Sequence, residues 1–344
     1  MCLTERGDVT PPEMDAAQVQ RQLDLSDRMM TWLRNVHRPA DAPGPVLPPS
    51  PEAAQLLGRL GVDPGDADDT VGARPDPIAH PALWWVLDRA YDDMLNHMGT
   101  PAPEDGFGGW PALPADAGPV GRHLYVWLFL ATLPQVRQYH IERGIPDDIS
   151  WGILADLGTS MRGDRMLTGM SGLNVQWVLP LIFRGVFYRL GRLAFNSTTC
   201  ATGQPLRTGE IALNTHIPDD DRLYPAACDE SFATAREFFP RHFPERPVIF
   251  TCHSWLMDDQ LAEYLPADSN LVRFQRRFRL VPTPRHISDK TILELVFHRR
   301  HAGPEIPESV LTELPQQTTL QRAYVRHIRS GRHWYARTGW TPLD

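Results

Sequence analysis

GEIALNTHIPDDDRLYPAACDESFATAREFF (209–239) and PVIFTCHSWLMDDQLAEYL (247–265) decide the fold. Side chains alternate along a strand. In the first stretch Ile211, Leu213, Thr215 and Ile217 therefore share one face, and Ala212, Asn214 and His216 share the other. After the Asp219–Asp220–Asp221 turn the spacing predicts a helix from Pro225, with Cys228, Phe232, Ala235 and Phe239 on its inner side and Pro240 as its stop. The second stretch places Ile249, Thr251, His253 and Trp255 on one strand face, with Phe250, Cys252 and Ser254 on the other. A strand running into a helix N-terminus offers free amides and a positive dipole end to an anion. His253 and Ser254 fall at a strand end, where ligand sites of α/β sheets lie.

Working outward, VFYRLGRLAFN (186–196) and FQRRFRLV (274–281) read as further strands, and 147–162, 258–265 and 318–330 as helices, with an apolar stretch at 173–189. Strands alternating with helices predict an α/β, or mixed α+β, architecture. Upstream, residues 14–34, 51–60, 82–98 and 120–143 carry helical patterns joined by proline-rich loops, the last interrupted by Pro134 and closed by Gly144. A length of 344 residues suits two domains. We place a helical one at 1–144 and a mixed-sheet one, flanked by helices, at 145–344.

The net charge of −8 gives no electrostatic reason to expect a nucleic-acid partner. None of the four cysteines forms a CxxC pair, so no zinc knuckle or redox dithiol is indicated and no metal is expected. Widely spaced cysteines in a chain of this size point to reduced thiols and a cytoplasmic location. The opening MCLTERGDVTPPEMD lacks the basic and apolar regions of a signal peptide. The longest apolar run, from Leu124 to Leu133, is too short to span a bilayer and reads as a buried helix, so no membrane partner is expected.

YRLGRLAFN (188–196), LNTHIP (213–218), CHSWLMDDQLAEYLPADSNLVRFQRRF (252–278) and LPQQTTLQRAYVRHIRSG (314–331) resemble bacterial acyltransferases that join an N-acyltransferase N-terminal domain to a GNAT-like C-terminal domain. YVWLFLATLPQVRQYHIERGIP (125–146) carries the resemblance into the first domain. It implies transfer of an acyl group from a thioester to an amine by direct attack, with acyl-CoA or a phosphopantetheine thioester on an acyl carrier protein as co-substrate and no cofactor held permanently. The acceptor would be an amine-bearing small molecule or peptide.

Such chemistry needs a base to take the amine proton, backbone N–H groups at splayed strands to hold the oxyanion, and alignment of two substrates. His216 and His253 are the candidate bases, because imidazole titrates near neutrality. Asn214 is placed to hold the thioester arm or orient the amine. Ser254 or Tyr264 would protonate the leaving thiolate. Thr215 and Ile217 would lie along the donor arm, and Arg273 and Arg277 would meet its phosphate. Typical GNAT domains wrap the CoA pyrophosphate with a glycine-rich loop, whereas IPDDDRLYPA (217–226) has no glycine and three aspartates.

Two rival readings remain at this level. One is a non-catalytic GNAT-like module that binds an acyl or carrier-protein ligand. The other is a thioester hydrolase or acyl-enzyme transferase using Cys252 or Cys228. The plainer roles are a hydrogen-bonded strand-end histidine for His216 or His253, a strand tie for Asn214, a buried apolar thiol for Cys252, and a solvated turn for the three aspartates. Trp84, Trp85, Trp127 and Phe129 read as core, the alternative being an acyl-chain groove between the domains.

Overall fold

The computed structural model describes residues 14–27, 43–103, 110–111, 113, 117–173, 178–200, 209–218, 221–245, 249–282 and 286–342. Two compact units emerge, one of residues 1–100 with 107–185, the other of 101–106 with 186–344. The expected boundary at 144/145 is thereby corrected. The helices that follow residue 144 stay with the first unit, because their apolar faces are buried among its other helices and none contributes to the sheet.

The first unit is helical: α1 (Ala16–Gln22), α2 (Ser50–Arg59), α3 (Pro64–Gly72), α4 (Pro81–Asn96), α5 (Gly118–Glu142), α6 (Asp147–Leu154), α7 (Asp156–Thr168) and α8 (Leu179–Phe183). From Leu124 to Leu130 α5 is buried on every side, as the unbroken apolar run demanded. Trp127 and Phe129 are fully buried core residues there, with the Trp127 indole N–H donating to the Thr70 carbonyl at 2.9 Å. The helix continues through Pro134 rather than breaking at it. Two residues earlier Thr132 Oγ1 donates to the Leu128 carbonyl at 3.1 Å. The pattern over 14–34 is cut short. α1 ends at Gln22, Asp24 takes a left-handed conformation, and residues 28–34 lie outside the described residues. A charge sits at the heart of this unit, where Asp93 accepts from the Arg184 guanidinium at 2.6 Å and from the Trp110 indole at 2.9 Å.

The second unit is a mixed sheet with helices against it. Its strands are β1 (Ala102–Pro103), β2 (Phe187–Leu190), β3 (Leu193–Thr199), β4 (Ile211–His216), β5 (Phe250–Ser254), β6 (Arg279–Leu280), β7 (His286–Ile287) and β8 (Tyr335–Thr341). Its helices are α9 (Pro225–His242), α10 (Asn270–Gln275), α11 (Asp289–Phe297), α12 (Glu308–Glu313) and α13 (Thr319–Arg329). The order is β1-β3-β4-β5-β8-β6, with β2 on β3 and β7 on β8. β2 and β3 form a hairpin whose tight turn uses Gly191 at φ +79°, a conformation that favours glycine. β4 and β5 run parallel, joined through α9. The proposed strand 274–281 is mostly turn: α10 extends to Gln275 and only Arg279 and Leu280 pair with β8. Residues 258–265 form a short 3-10 helix (Asp259–Glu263) after another at Trp255–Met257.

α9 seals one side of the sheet with phenylalanine. Phe232 stands 4.9 Å from Phe250 and 5.7 Å from Phe195, ring centre to ring centre, and Phe195 is 5.4 Å from Phe250. Aromatic groups packed at these spacings contribute both buried area and edge-to-face attraction. Among the described residues no helix is long and apolar enough to cross a membrane.

Candidate active site

The register assigns side chains to faces. Asn196 pairs with Asn214, Ala194 with His216, Asn214 with Thr251, and His253 with Thr338. Asn196, Asn214, His216, Thr251, His253 and Thr338 therefore share the sheet face opposite to α9. Phe195, Leu213, Thr215, Phe250 and Cys252 share the α9 face. The polar face holds a small recess, about 30 Å³, lined by Thr198, Cys200, Asn214, Thr251, His253 and Thr338.

β4 and β5 part company at this recess. Their pairing stops at Asn214↔Thr251. The next amide, His253 N–H, is taken by the Asn214 side chain, whose Oδ1 accepts it at 3.2 Å. A side chain thus occupies the backbone donor that the parting strands expose.

His216 is half-buried at the same point. Its ring lies 4.8 Å from that of Phe187. Its Nε2 is 2.6 Å from Asn196 Oδ1 and 3.2 Å from Asn214 Nδ2. Desolvation pushes its pKa down to about 4, so the ring is neutral at physiological pH. His253 is more exposed, and its Nδ1 is 2.9 Å from the Thr338 hydroxyl. The structure brings His216, His253 and Asn214 onto one face, and it adds Asn196, which the sequence reading did not single out. The alternation of LAFN (193–196) carried that signal, because it sets Asn196 opposite Phe195.

The remaining expected residues stand elsewhere. Ser254 points to the α9 side, and its Oγ accepts from Leu256 N–H at 3.1 Å, capping the turn that follows. Tyr264 shares a hydrogen bond of 3.0 Å with His327 Nδ1. The Thr215 hydroxyl is buried on the α9 side and makes no hydrogen bond to any described residue. Ile217 lies just beyond the end of β4. Arg277 reaches the N-terminus of α9, donating to the Pro225 carbonyl at 3.0 Å and to Asp229 at 2.6 Å, while Arg273 is exposed. Arg192 holds the chain ahead of that helix, donating to the Asp221 carbonyl at 2.6 Å and the Arg222 carbonyl at 3.0 Å. Asp219 and Asp220 lie outside the described residues. Among the described residues no three His, Cys, Asp or Glu side chains gather as metal ligands would.

The cysteine route loses its nucleophile. Cys252 is fully buried and its pKa is pushed up to about 12 by desolvation, and burial also raises that of Cys228. A thiol so protonated supplies almost no thiolate at neutral pH.

Comparison with known proteins bears on the whole chain. Residues 51–185 match the N-acyltransferase N-terminal domain and residues 187–341 the GNAT-like C-terminal domain. An acyltransferase crystallised with CoA and 10C-teicoplanin is 40% identical, with a TM-score of 0.83 over 96% of this chain and 100% of that one. An acyltransferase with decanoyl-CoA and teicoplanin is 39% identical with a TM-score of 0.82, and an acyltransferase mutant with octanoyl-CoA is 39% identical with a TM-score of 0.84, over the same shares of the chains. Comparison with functionally curated proteins gives no match.

Proposed function

The chain belongs to the acyltransferases that couple an N-acyltransferase N-terminal domain to a GNAT-like C-terminal domain, and from that premise we propose that it moves a fatty acyl group from acyl-CoA to an amine of a teicoplanin-like acceptor, with His216 as the base. That membership makes it an enzyme and sets aside the binding-module reading. The single observation that carries the residue assignment is the neutral His216 beside the point where β4 and β5 separate.

In this reading the acceptor nitrogen attacks the thioester carbonyl carbon. A C–N bond forms, and the carbonyl oxygen becomes an oxyanion. Attack turns the amine into a strongly acidic ammonium, and the neutral imidazole of His216 takes its proton. Collapse of the intermediate breaks the C–S bond, and the proton on His216 returns to the departing thiolate. His253 N–H serves the oxyanion once Asn214 Oδ1 swings away from it. Asn214 thus has two positions to fill, tying the open strands when the site is free and holding the amine or the thioester arm when it is loaded.

The glycine-free stretch 217–226 does not stand against CoA as the donor. Relatives that cover 96% of this chain hold CoA or acyl-CoA. Here the N-terminus of α9 offers free amides without a glycine loop, and Arg277, paired with Asp229, braces that helix end. Arg192 contributes by fixing the backbone at 221 and 222.

The test is incubation of the purified chain with decanoyl-CoA and a teicoplanin core lacking its acyl group. Mass spectrometry should show the core heavier by one decanoyl group, with an equal amount of CoA thiol released. Folded protein that forms no product and releases no thiol contradicts the proposal.

A further inference from the structure

We infer that Asn196 is a positioning residue that fixes the tautomer of His216, drawing the ring proton to Nε2 and leaving Nδ1 as the basic nitrogen. The inference rests on the reading of His216 as the base, and its test separates the two.

Two amides converge on one ring nitrogen and ask opposite things of it. Asn196 Oδ1, at 2.6 Å, is an acceptor and needs N–H. Asn214 Nδ2, at 3.2 Å, is a donor and needs a lone pair. A single imidazole nitrogen supplies only one of these. In the unloaded site a second hydrogen bond sets the orientation of each amide. Asn196 Nδ2 donates to the Ser197 carbonyl at 3.1 Å, which aims Oδ1 at His216. Asn214 Oδ1 accepts from His253 N–H, which aims Nδ2 at His216.

The distances decide the contest. With the proton on Nδ1, the Nε2 lone pair would face the Asn196 oxygen at 2.6 Å, and the two would repel. With the proton on Nε2, that contact becomes a short hydrogen bond, and only the longer contact to Asn214 goes unmade. Protonation of both nitrogens is the third option, and desolvation removes it at neutral pH. Asn196 is 3% exposed, so water does not compete for its oxygen. Nδ1 makes no hydrogen bond to any described residue, and no charged side chain of the described residues bonds to the ring. Nδ1 is then the nitrogen left to take the acceptor proton.

A readout independent of activity is the nitrogen spectrum of the ring. In protein labelled with 15N-histidine, His216 is assigned by its absence in His216→Gln. Near neutral pH its Nε2 should give a pyrrole-type signal and its Nδ1 a pyridine-type signal. Asn196→Ala should hand Nε2 to Asn214 and move the proton to Nδ1. Its kcat should then fall at least about tenfold, since base catalysis contributes roughly 10²–10⁴-fold, with KM for decanoyl-CoA held within about twofold. Asn196→Asp retains the acceptor oxygen and should recover most of the lost kcat, with the acid limb of the pH profile moved to higher pH by the nearby carboxylate. A purely packing role predicts that Asp is as poor as Ala or poorer. A wild-type spectrum with the proton on Nδ1 overturns the inference, and so does an unchanged tautomer in Asn196→Ala. If Asn196→Ala does not fold, the wild-type spectrum alone decides. If the Nε2–H form is found while His216→Gln keeps full activity, the tautomer stands and the base assignment falls.

Discussion

Successive residues of β4 face different surroundings. On one side Leu213 and Thr215 lie in register with Phe250 and Phe195 and share the phenylalanine-packed face that α9 covers. On the other, Asn214 and His216 stand beside Asn196 at the mouth where β4 and β5 separate. One six-residue strand thus presents an apolar face to α9 and a polar face to the recess. The apolar face anchors the backbone, and the polar face inherits that precision. Substitutions on the first face should therefore change stability, and substitutions on the second should change rate.

Phe250→Ala sharpens that division most. Removing a fully buried phenylalanine typically costs about 3–5 kcal/mol. Urea unfolding should show that loss, while kcat per folded molecule stays within a few-fold. A large fall in kcat with unchanged stability would erase the distinction between the faces.

Acid should reveal a cost that burial imposes elsewhere. His123 and His140 in the helical unit, like His216, have pKa values pushed down to about 4 by desolvation. The unfolded chain binds these protons near its ordinary value of about 6.5 and the folded chain only near 4, so stability is full above about 6.5 and falls as pH drops between the two. For the fully buried His140, whose Nδ1 lies 2.6 Å from Ser150 Oγ, the loss reaches about 3 kcal/mol at most. Stability measured from pH 7 to pH 4 should fall steeply, and His140→Gln should make the fall shallower. A flat profile would mean that water reaches these rings.

Ser254→Ala is the smallest of these effects. Losing a capping hydroxyl costs about 1 kcal/mol. Thermal unfolding should register it, and kcat should not, because Ser254 faces away from His216. A strong loss of activity would place Ser254 in the chemistry after all.

The alternation in IALNTH made both faces of β4 legible, and Pro225 marked the start of α9. What pattern alone could not reveal were contacts between distant strands. Asn196 reaches His216 only through the pairing of β3 with β4, and Thr338 reaches His253 only because β8 lies beside β5. The strand Tyr335–Thr341 escaped notice because its YARTGWT has no apolar alternation. The run from Phe274 to Val281 looked like a strand because its alternating arginines mimic a period of two, yet its first residues complete α10. Proline misled twice. Both α5 and α9 run through it, at Pro134 and Pro240, where packing on the buried face outweighs one lost hydrogen bond. The domain boundary was read too early, because the change in texture near residue 145 marks shorter helices rather than the beginning of the sheet.

The most direct test pairs the two histidines of the polar face. Decanoyl transfer by His216→Ala and His253→Ala, each checked for native circular dichroism, should separate them. His216→Ala should lose about 10²–10³-fold in kcat, the scale of a missing base. His253→Ala keeps its backbone N–H and should stay within about tenfold. Full activity in folded His216→Ala, or a larger loss in His253→Ala, contradicts the assignment of His216 as the group that takes the proton.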